Sequence, residues 1–586
     1  MTTNNKGRVL VVFGEEFPSL SIREQKFDML IADKIFQHRA EALGCPFIEL
    51  DSLVSPGSVY EASALLEELS QLKFANGTRI TKAFLYKGYE LWWIHYDSLF
   101  YYFCLPYTQY KGLLERLRGF RQIHFYRAPY NALFFHYLKA HGGEMRALRE
   151  SGIHNLSFFS FGVFLQIFIT LLSLPILAMR KRRAMIFIGD KFEKDQDYDF
   201  RMKFIYEELR KRKIPFVEFI RSLESWSVVL RHAFVRRHPV VYSVGVAYIA
   251  RYADMFFGGR TRVRRELDRL LSDTQANPEV RFKLMAATHY VSAISADQWA
   301  IRIMQWLLRV IGVRAAFIPA ATERNFHAVL GCKLNAIPTV GILHGVASPY
   351  STPYDFMIGF DGAKRLSVDV YGVWSEWWKA YYIKNSQAYT PEQLYVSGPM
   401  RPLGVSKNVE ADAGPENAPI RVLFIAEQGA VPTEVMPYLR ELLAREDIRL
   451  TIKFRPYHDG FEQWLLQYEP DILKRGNLGV VRGSMQEAIK SCDVVVGSYS
   501  TAVLEALMQC KAPIFFYTQK WGDYYRMTES DATQQFFADN PQNLIEKIKD
   551  IPQVSAKVLE SLQERYFGDP HQNGSTWVVD RMEQYL

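Results

Sequence analysis

Residues 493–507 read DVVVGSYSTAVLEAL, and this stretch decides the fold. Its three consecutive valines predict a buried parallel strand, and the Gly/Ser/Thr segment that follows turns directly into a helix. The N–H groups at the start of that helix, with the hydroxyls of Ser498, Ser500 and Thr501, are suited to bind phosphate. Glu505 lies one turn further on, where it can accept hydrogen bonds from a ribose or sugar hydroxyl. The alternative is an ordinary Ser/Thr helix cap with a glutamate in the first turn.

Strand-like apolar runs alternate with helical segments on both sides of this stretch, which is typical of α/β proteins. We expect a strand at 8–13, a long amphipathic helix over 22–44 and a further strand over 240–246. Residues 403–419 are polar, carry glycine and proline, lack periodicity and are expected to form a linker. The pattern predicts two doubly wound units with a ligand cleft at the carboxyl ends of their strands.

The composition excludes several classes of protein. The chain has 586 residues, of which 48% are hydrophobic, so two or three ordered domains are expected. Its five cysteines are scattered without a C-x-x-C pair, which argues against a zinc site and a disulfide framework. No secretory signal is visible, and a cytoplasmic location is expected.

Basic residues cluster between positions 180 and 265 of a chain whose formal net charge is +8. They are expected either to form solvated helix faces or to meet an anionic surface. No zinc-finger, RNP or helix-turn-helix signature accompanies them, so we expect no nucleic-acid partner.

Residues 156–179 read LSFFSFGVFLQIFITLLSLPILAM, without a charge, and RKRR follows at once. The length permits a membrane span, but a single span would place two cytoplasmic-looking halves on opposite sides. A monotopic or re-entrant segment, with basic residues on anionic headgroups, avoids that conflict. The alternatives are a buried core helix or an oligomer interface.

Polar residues and glycines follow other predicted strands, at positions suited to contact phosphate or an acceptor. They are Arg455 and His458 after the strand at 450–454, the His344-Gly345 pair after 339–343, the Gly398-Pro399 turn, and Glu427 and Gly429 after 421–426. A structural histidine is the alternative for His344.

In this order the elements resemble GT-B glycosyltransferases of bacterial surface-polysaccharide assembly. The neighbourhood is that of capsule Kdo and sialic-acid transferases and CDP-glycerol glycerophosphotransferases, and the resemblance covers residues 315–525. It implies that Arg455, His458, Ser498, Ser500 and Thr501 hold the nucleotide and phosphate of a nucleotide-sugar donor, which is a substrate, so no separate cofactor is expected. The element Arg-Pro-Tyr-His replaces a plain His-Pro, which puts a CMP-linked donor in doubt.

The resemblance implies an α/β GT-B architecture of two Rossmann-like domains facing a cleft, with a membrane-associating segment inserted in the N-terminal half. The expected parts are an N-terminal α/β region (1–150), a hydrophobic and basic segment (155–183), an acceptor-side domain (184–402), the linker (403–419) and a nucleotide-sugar-binding domain (420–586). Expected partners are the donor, a glycan or lipid-linked acceptor, an anionic membrane surface and other polysaccharide-assembly proteins. The expected location is the cytoplasmic face of the inner membrane.

An inverting transfer requires a general base and groups that stabilise the departing phosphate. Gly497 stands where an E-x7-E pair of a retaining enzyme would place a glutamate, which favours inversion. Glu15 and Glu16 are the leading candidates for the base, followed by Asp190 and His344. Without a D-x-D motif after a strand, no metal site is expected. An aromatic group over residues 89–102 is expected to be core, with sugar stacking as the alternative.

Other functions suit the same cleft. A glycerophosphotransferase or a nucleotide-sugar 2-epimerase would use it with different chemistry. A catalytically inactive GT-B protein that serves as a membrane scaffold is the non-enzymatic alternative.

Overall fold

The protein is described by a computed structural model that covers residues 6–18, 26–148, 161–179, 183–188, 202–220, 226–235, 240–272, 277–319, 325–400, 418–427, 429–455 and 460–586. Within these ranges the strands form three parallel sheets and one two-stranded hairpin. In each parallel sheet the first strand lies centrally and the next strands extend first to one side and then to the other, which is the doubly wound order. The α/β class with parallel, doubly wound sheets is therefore confirmed.

The N-terminal sheet has the order β3-β2-β1-β6-β7. Its strands are β1 (Lys6–Val12), β2 (Met29–Ala32), β3 (Phe47–Glu49), β6 (Phe120–Tyr126) and β7 (Glu144–Leu148), and the hairpin is β4 (Leu85–Tyr86) with β5 (Tyr89–Glu90). Its helices are α1 (Gln37–Leu43), α2 (Val59–Gln71), α3 (Tyr96–Leu99), α4 (Leu105–Leu117) and α5 (Asn131–Ala140). The expected helix over 22–44 is wrong, because Leu30, Ile31 and Ala32 form a fully buried strand beside β1. Within the described part of this range, helix begins only at Lys34, as a 3-10 turn that leads into α1.

The middle sheet has the order β10-β9-β8-β11-β12-β13-β14. Its strands are β8 (Arg183–Ile188), β9 (Phe216–Ile220), β10 (Val240–Tyr242), β11 (Val313–Phe317), β12 (Thr339–Ile342), β13 (Val370–Val373) and β14 (Leu394–Val396). Its helices are α6 (Phe161–Met179), α7 (Lys203–Lys211), α8 (Trp226–Val235), α9 (Ser243–Phe256), α10 (Gly259–Ser272), α11 (Pro278–Ala287), α12 (Ile294–Ile311), α13 (Phe326–Lys333) and α14 (Glu376–Asn385). The strand expected over 240–246 ends at Tyr242, because α9 begins at Ser243.

The C-terminal sheet has the order β17-β16-β15-β18-β19-β20. Its strands are β15 (Ile420–Ile425), β16 (Ile448–Lys453), β17 (Leu478–Val481), β18 (Val494–Gly497), β19 (Ala512–Phe516) and β20 (Phe537–Ala538). Its helices are α15 (Pro432–Leu443), α16 (Gly460–Tyr468), α17 (Met485–Lys490), α18 (Thr501–Leu504), α19 (Asp531–Gln534), α20 (Pro541–Asp550), α21 (Ala556–Phe567) and α22 (Gly574–Glu583). Val494, Val495 and Val496 are fully buried between β15 and β19, as the opening motif predicts.

The last helix, α22, returns from the C-terminal part of the chain to the middle sheet. Val578, Val579 and Met582 are fully buried there against side chains of β8, β11 and β12. Arg212 at the end of α7 pairs with Asp580 and also contacts Glu583 of α22. The last helix of the chain is therefore part of the middle unit rather than of the sheet that precedes it in sequence.

Helix α6 carries the hydrophobic segment. It is long and apolar enough to cross a membrane by length and composition alone, yet only 22% of it is buried. That contradicts the buried-core alternative. Arg183, the last residue of the basic run after it, is 2% exposed at the start of β8, so that residue belongs to the interior and not to a headgroup surface.

The aromatic group over 89–102 is mainly core. Trp92, Trp93, Tyr96 and Phe100 are buried, whereas Tyr102 is exposed. The indole N–H of Trp92 donates to the carbonyl of Ala287 at the end of α11. These residues attach the N-terminal sheet to the helices of the middle unit.

Candidate functional site

The loop Ser498–Ser500 follows β18 and is organised by Glu427, which follows β15. One carboxylate oxygen of Glu427 accepts the N–H of Ser498 at 2.8 Å and also the Ser498 hydroxyl. The other oxygen accepts the N–H groups of Tyr499 at 2.8 Å and Ser500 at 2.6 Å. The predicted phosphate-binding amides of this loop thus already bind a carboxylate of the protein itself.

Burial of Glu427, which is 5% exposed, raises the pKa of its carboxyl, and the hydrogen bonds from the loop offset part of that shift. Both oxygens accept N–H donors, which suits the ionised form. The side chain of Ser500 is engaged as well, because its hydroxyl accepts the N–H of Ala502 and caps α18. A phosphate could use the Ser498 and Ser500 amides only by displacing Glu427.

Gly429 lies beneath a stacked aromatic pair. The rings of Tyr499 and Trp521 stack with centroids 3.9 Å apart, and the Gly429 N–H donates to the Tyr499 hydroxyl at 2.7 Å. The Gly429 carbonyl accepts the Trp521 indole N–H at 3.1 Å and the Lys520 ammonium at 3.0 Å. A Cβ on Gly429 would lie 2.7 Å from the Tyr499 hydroxyl oxygen, so this close approach requires glycine.

Arg455, two residues past the end of β16, lies near the same cluster. Burial raises the pKa of Tyr499 and so does the charge of Glu427, whereas the charge of Arg455 lowers it. The structure thus brings together Arg455, Glu427 and the Ser498–Ser500 loop at the carboxyl edge of the C-terminal sheet.

Thr501, the first residue of α18, connects this sheet to the middle one. Its hydroxyl oxygen accepts the backbone N–H of Val346 at 3.0 Å, two residues after His344. Gly345 lies beside this contact, and a Cβ there would lie 3.7 Å from the Thr501 hydroxyl, which is an ordinary van der Waals distance.

A cavity of about 130 Å³ opens at this junction. Predicted residues from both units line it, namely His344 and Gly345 of the middle unit and Thr501 and Glu505 of the C-terminal unit. Its remaining lining is Leu343, Trp374, Pro399, Met400, Met508 and Phe567. His344 is exposed, and the Glu505 carboxylate accepts a hydrogen bond from Gln486 at 3.3 Å.

The sequence interpretation missed the aromatic wall of this cavity. Trp374 follows β13, stacks on Phe567 of α21 at 5.3 Å, and donates its indole N–H to the Leu343 carbonyl at 2.6 Å. The tryptophan after the apolar run 370–373 was a usable signal, because it follows a strand at the ligand edge of the sheet. Phe567 gave no such signal, since its place depends on how α21 packs.

The N-terminal unit braces the loop that follows His344. The Tyr101 hydroxyl donates to the Ser351 carbonyl at 2.5 Å, and the Ser351 hydroxyl contacts that of Tyr524 from the C-terminal unit. The ring of Tyr60 packs on that of Tyr350 with centroids 4.4 Å apart. Val59, next to it, donates its N–H to the Lys520 carbonyl at 3.1 Å.

The leading candidates for the base lie elsewhere. Glu15 accepts hydrogen bonds from Gln467 at 2.6 Å and Tyr468 at 3.3 Å. Both donors lie in the last turn of α16, before the start of β17. Glu16 pairs with Arg127 at 2.5 Å. Both are exposed, and neither lines the cavity. Asp190 and His458 lie outside the described residues.

Comparisons with known proteins give low similarities. No family model matches the chain, and no curated protein matches it. Among solved structures, the Staphylococcus aureus MnaA–UDP co-structure aligns over 69% of this chain and 97% of its own, with 10% identity and a TM-score of 0.41. The Methanocaldococcus jannaschii UDP-GlcNAc 2-epimerase bound to UDP-GlcNAc and UDP aligns over 69% of this chain and 100% of its own, with 10% identity and a TM-score of 0.42. A glycosyltransferase from Rickettsia africae aligns over 69% of this chain and 98% of its own, with 11% identity and a TM-score of 0.38.

Proposed function

We propose that the protein is a GT-B-type glycosyltransferase that moves a sugar from a nucleotide-sugar donor to a polysaccharide or lipid-linked acceptor. It would work at the cytoplasmic face of the inner membrane, with inversion and without a metal requirement. The observation that carries the proposal is the meeting of His344 and Gly345 with Thr501 and Glu505 in one cavity. This cavity lies at the carboxyl edges of two doubly wound sheets, where such folds bind ligands.

The cavity takes a part of the donor rather than the whole. Its volume of about 130 Å³ is below the roughly 300–1,000 Å³ of pockets that enclose a whole small-molecule ligand. A sugar or ribose ring suits its lining, because Trp374 and Phe567 line it with apolar atoms and Glu505 offers hydrogen-bond acceptors. Arg455 supplies positive charge for the nucleotide phosphate.

His344 is the base in this proposal, since it lines the cavity and the other two candidates that the structure describes, Glu15 and Glu16, do not. Its imidazole takes the proton of the acceptor hydroxyl while the acceptor oxygen bonds to the anomeric carbon of the sugar. The bond from that carbon to the phosphate oxygen breaks, and its electron pair leaves with the nucleotide. Positive charge from Arg455 stabilises the departing phosphate.

Donor binding is tested by thermal unfolding of the purified protein with CMP, UDP, GDP, TDP and CDP. A ligand at 100 times its Kd stabilises by about 2.7 kcal/mol, so we expect one nucleotide to raise the Tm. Glu505→Ala should lower the affinity for that nucleotide by roughly 10- to 100-fold, because hydrogen bonds to a charged group are lost. Glu546→Ala, an exposed glutamate of α20, is the control. No shift with any nucleotide would contradict the proposal.

The reaction is tested by product analysis with the donor sugar so identified. Transfer to a lipid-linked or polysaccharide acceptor supports a glycosyltransferase, and unchanged rates with a chelator support metal independence. Release of a free, epimerised sugar without acceptor would indicate the 2-epimerase instead, and transfer of glycerol phosphate the glycerophosphotransferase. Nucleotide binding that is unchanged in Glu505→Ala, together with no turnover of the donor, would indicate a catalytically inactive scaffold protein.

A further inference from the structure

Helix α6 has its polar side chains turned inward and its apolar side chains turned outward. Gln166 and Thr170 are buried together with Leu174 and Leu177. The opposite face exposes apolar side chains, of which the large ones are Phe161, Phe164, Phe168, Leu171, Leu172, Ile176 and Met179. Six of the seven are more than half exposed to water in the isolated chain, the reverse of what a helix on a water-facing surface shows. These seven residues are called the outer stripe.

The inner face fixes α6 to the middle unit along its length. The Thr170 hydroxyl accepts the N–H of Tyr242 at 3.0 Å, and Leu165 and Ile169 pack on the edge of the sheet at β10. Ile167 lies against Gly245 of α9, where an added Cβ would be 2.7 Å from its side chain. A helix held in this way cannot cross a bilayer alone, because the elements packed on it would have to enter the membrane with it.

Two neighbouring helices also expose large apolar side chains. Trp226 at the start of α8 is 51% exposed and contacts the ring of Phe161 with centroids 5.9 Å apart. At the end of α9, which packs on α6, Met255, Phe256 and Phe257 are 67%, 85% and 60% exposed. Aromatic and aliphatic side chains of this kind insert into the boundary between headgroups and acyl chains.

Positive charge follows the apolar tip of α9 directly. Helix α10 begins at Gly259 and exposes Arg260, Arg262, Arg264 and Arg265. Its acidic residues are Glu266, which contacts Arg269 at 2.8 Å, and Asp268. The first two turns of α10 are therefore basic, and guanidinium groups at a lipid surface pair with anionic headgroups.

We infer that the outer stripe of α6, the tip Met255–Phe257 and the first turns of α10 form a docking surface for an anionic bilayer, with α6 lying in the plane of the interface. This docking surface deepens the proposed function and rests on one part of it, which is that the acceptor lies at a membrane. The bilayer shields the apolar side chains from water, and its headgroups meet the four arginines. The charge beside the stripe is what favours lipid over a second copy of this basic chain.

Flotation with lipid vesicles tests this without any sugar nucleotide, so its failure is distinct from failure of donor binding. Wild-type protein should float with vesicles of phosphatidylcholine plus phosphatidylglycerol and much less with phosphatidylcholine alone. Phe164→Ser with Phe168→Ser should reduce partitioning by roughly tenfold or more, because both exposed rings lose their burial in lipid. Arg262→Glu with Arg265→Glu should abolish the preference for phosphatidylglycerol.

Two matched controls lie on exposed surfaces outside the patch. Leu466→Ser on α16 and Lys557→Glu on α21 should float like wild type. Hydrogen exchange of wild-type protein with vesicles should protect 161–179 and 255–265, which keeps the test valid if a variant fails to fold. Release from membranes by carbonate is expected for an in-plane helix.

Other occupants predict different results. Failure to float, combined with a concentration-dependent dimer that Phe164→Ser with Phe168→Ser dissociates, would replace the bilayer by a second copy of the chain. Resistance to carbonate would indicate a spanning helix. Equal binding to both vesicle types, unaffected by the arginine variant, would contradict the headgroup contact.

Discussion

The hydroxyl oxygen of Thr501 accepts a 3.0 Å hydrogen bond from the backbone N–H of Val346, and this contact joins the C-terminal and middle sheets beside the candidate cavity. Thr501→Val leaves that N–H without its acceptor. We expect the free energy of unfolding to fall by about 0.5–1.5 kcal/mol, the net value of a neutral hydrogen bond, because the donor is only half-buried. Nucleotide affinity should fall with it.

Chemical denaturation and calorimetric titration measure the two effects of Thr501→Val. Thr501→Ser keeps the hydroxyl and should restore both to near wild-type values. Equal losses in the serine and valine variants would contradict the assignment to the hydrogen bond, since serine keeps the hydroxyl and valine keeps the methyl group.

Glu427 should be indispensable to the loop it organises. In Glu427→Gln an amide NH2 replaces one acceptor and faces backbone N–H donors of Ser498–Ser500. We expect a loss of about 3 kcal/mol in the free energy of unfolding, the value of one or two hydrogen bonds to a charged group. Glu434→Gln is the matched comparison, since Glu434 also accepts a backbone N–H, that of Gln519 at 2.6 Å. It should lower the free energy of unfolding by less than Glu427→Gln does. Equal costs would remove the special role of Glu427.

Asp355 should make stability depend on pH near neutrality. Burial raises the pKa of Asp355 to about 7, although the hydroxyls of Tyr382, Tyr389 and Tyr371 donate to it. An unfolded aspartate has a pKa of about 3.9, so the folded chain holds this proton more tightly. Its contribution to stability is therefore complete below about pH 4 and is lost as the pH rises through about 7.

The variant Asp355→Asn does not titrate at this position. Between pH 5 and pH 8 its Tm should fall less than that of wild type, as thermal unfolding across the pH series will show. Asp531→Asn, an exposed aspartate on α19, should leave the wild-type profile unchanged. An Asp355→Asn profile parallel to that of wild type would contradict the assignment.

The N-terminal unit should influence a site to which it contributes no lining residue among those described. Tyr101→Phe removes the hydrogen bond to the Ser351 carbonyl, which holds the loop after His344. A neutral hydrogen bond contributes about 0.5–1.5 kcal/mol, so donor affinity should fall roughly 2- to 12-fold. Tyr102→Phe is the control on the adjacent, exposed residue. An unchanged Kd in Tyr101→Phe would show that the brace does not reach the donor.

Much of the fold could be predicted because buried parallel strands have a local signature. The runs at 494–496 and 422–425 are apolar on both faces and form central strands of one sheet. Where strand and helix patterns share the same residues the prediction was wrong. The pattern of residues 29–32 predicts part of a helix, whereas in the structure they are buried beside β1 and form a strand.

The candidate site was predictable in part. His344, Thr501 and Glu505 follow strands at the ligand edge, and they do converge. Ser498 and Ser500 follow the same rule, but the partner of their amides is Glu427, which is 71 and 73 residues away in sequence. The sequence places the donor groups, whereas only the packing of β15 beside β18 brings that carboxylate to them.

By itself, the sequence determined the α/β class, the parallel strands and the residues at their carboxyl ends, because these depend on local periodicity and on burial that each segment shows alone. Tertiary structure decided which ends face each other, that Glu15 and Glu16 lie away from the cavity, and that α6 turns its apolar side outward. Those outcomes depend on contacts between residues far apart in the chain. The free energy of such contacts comes from the surfaces that meet, and neither partner's sequence specifies them alone.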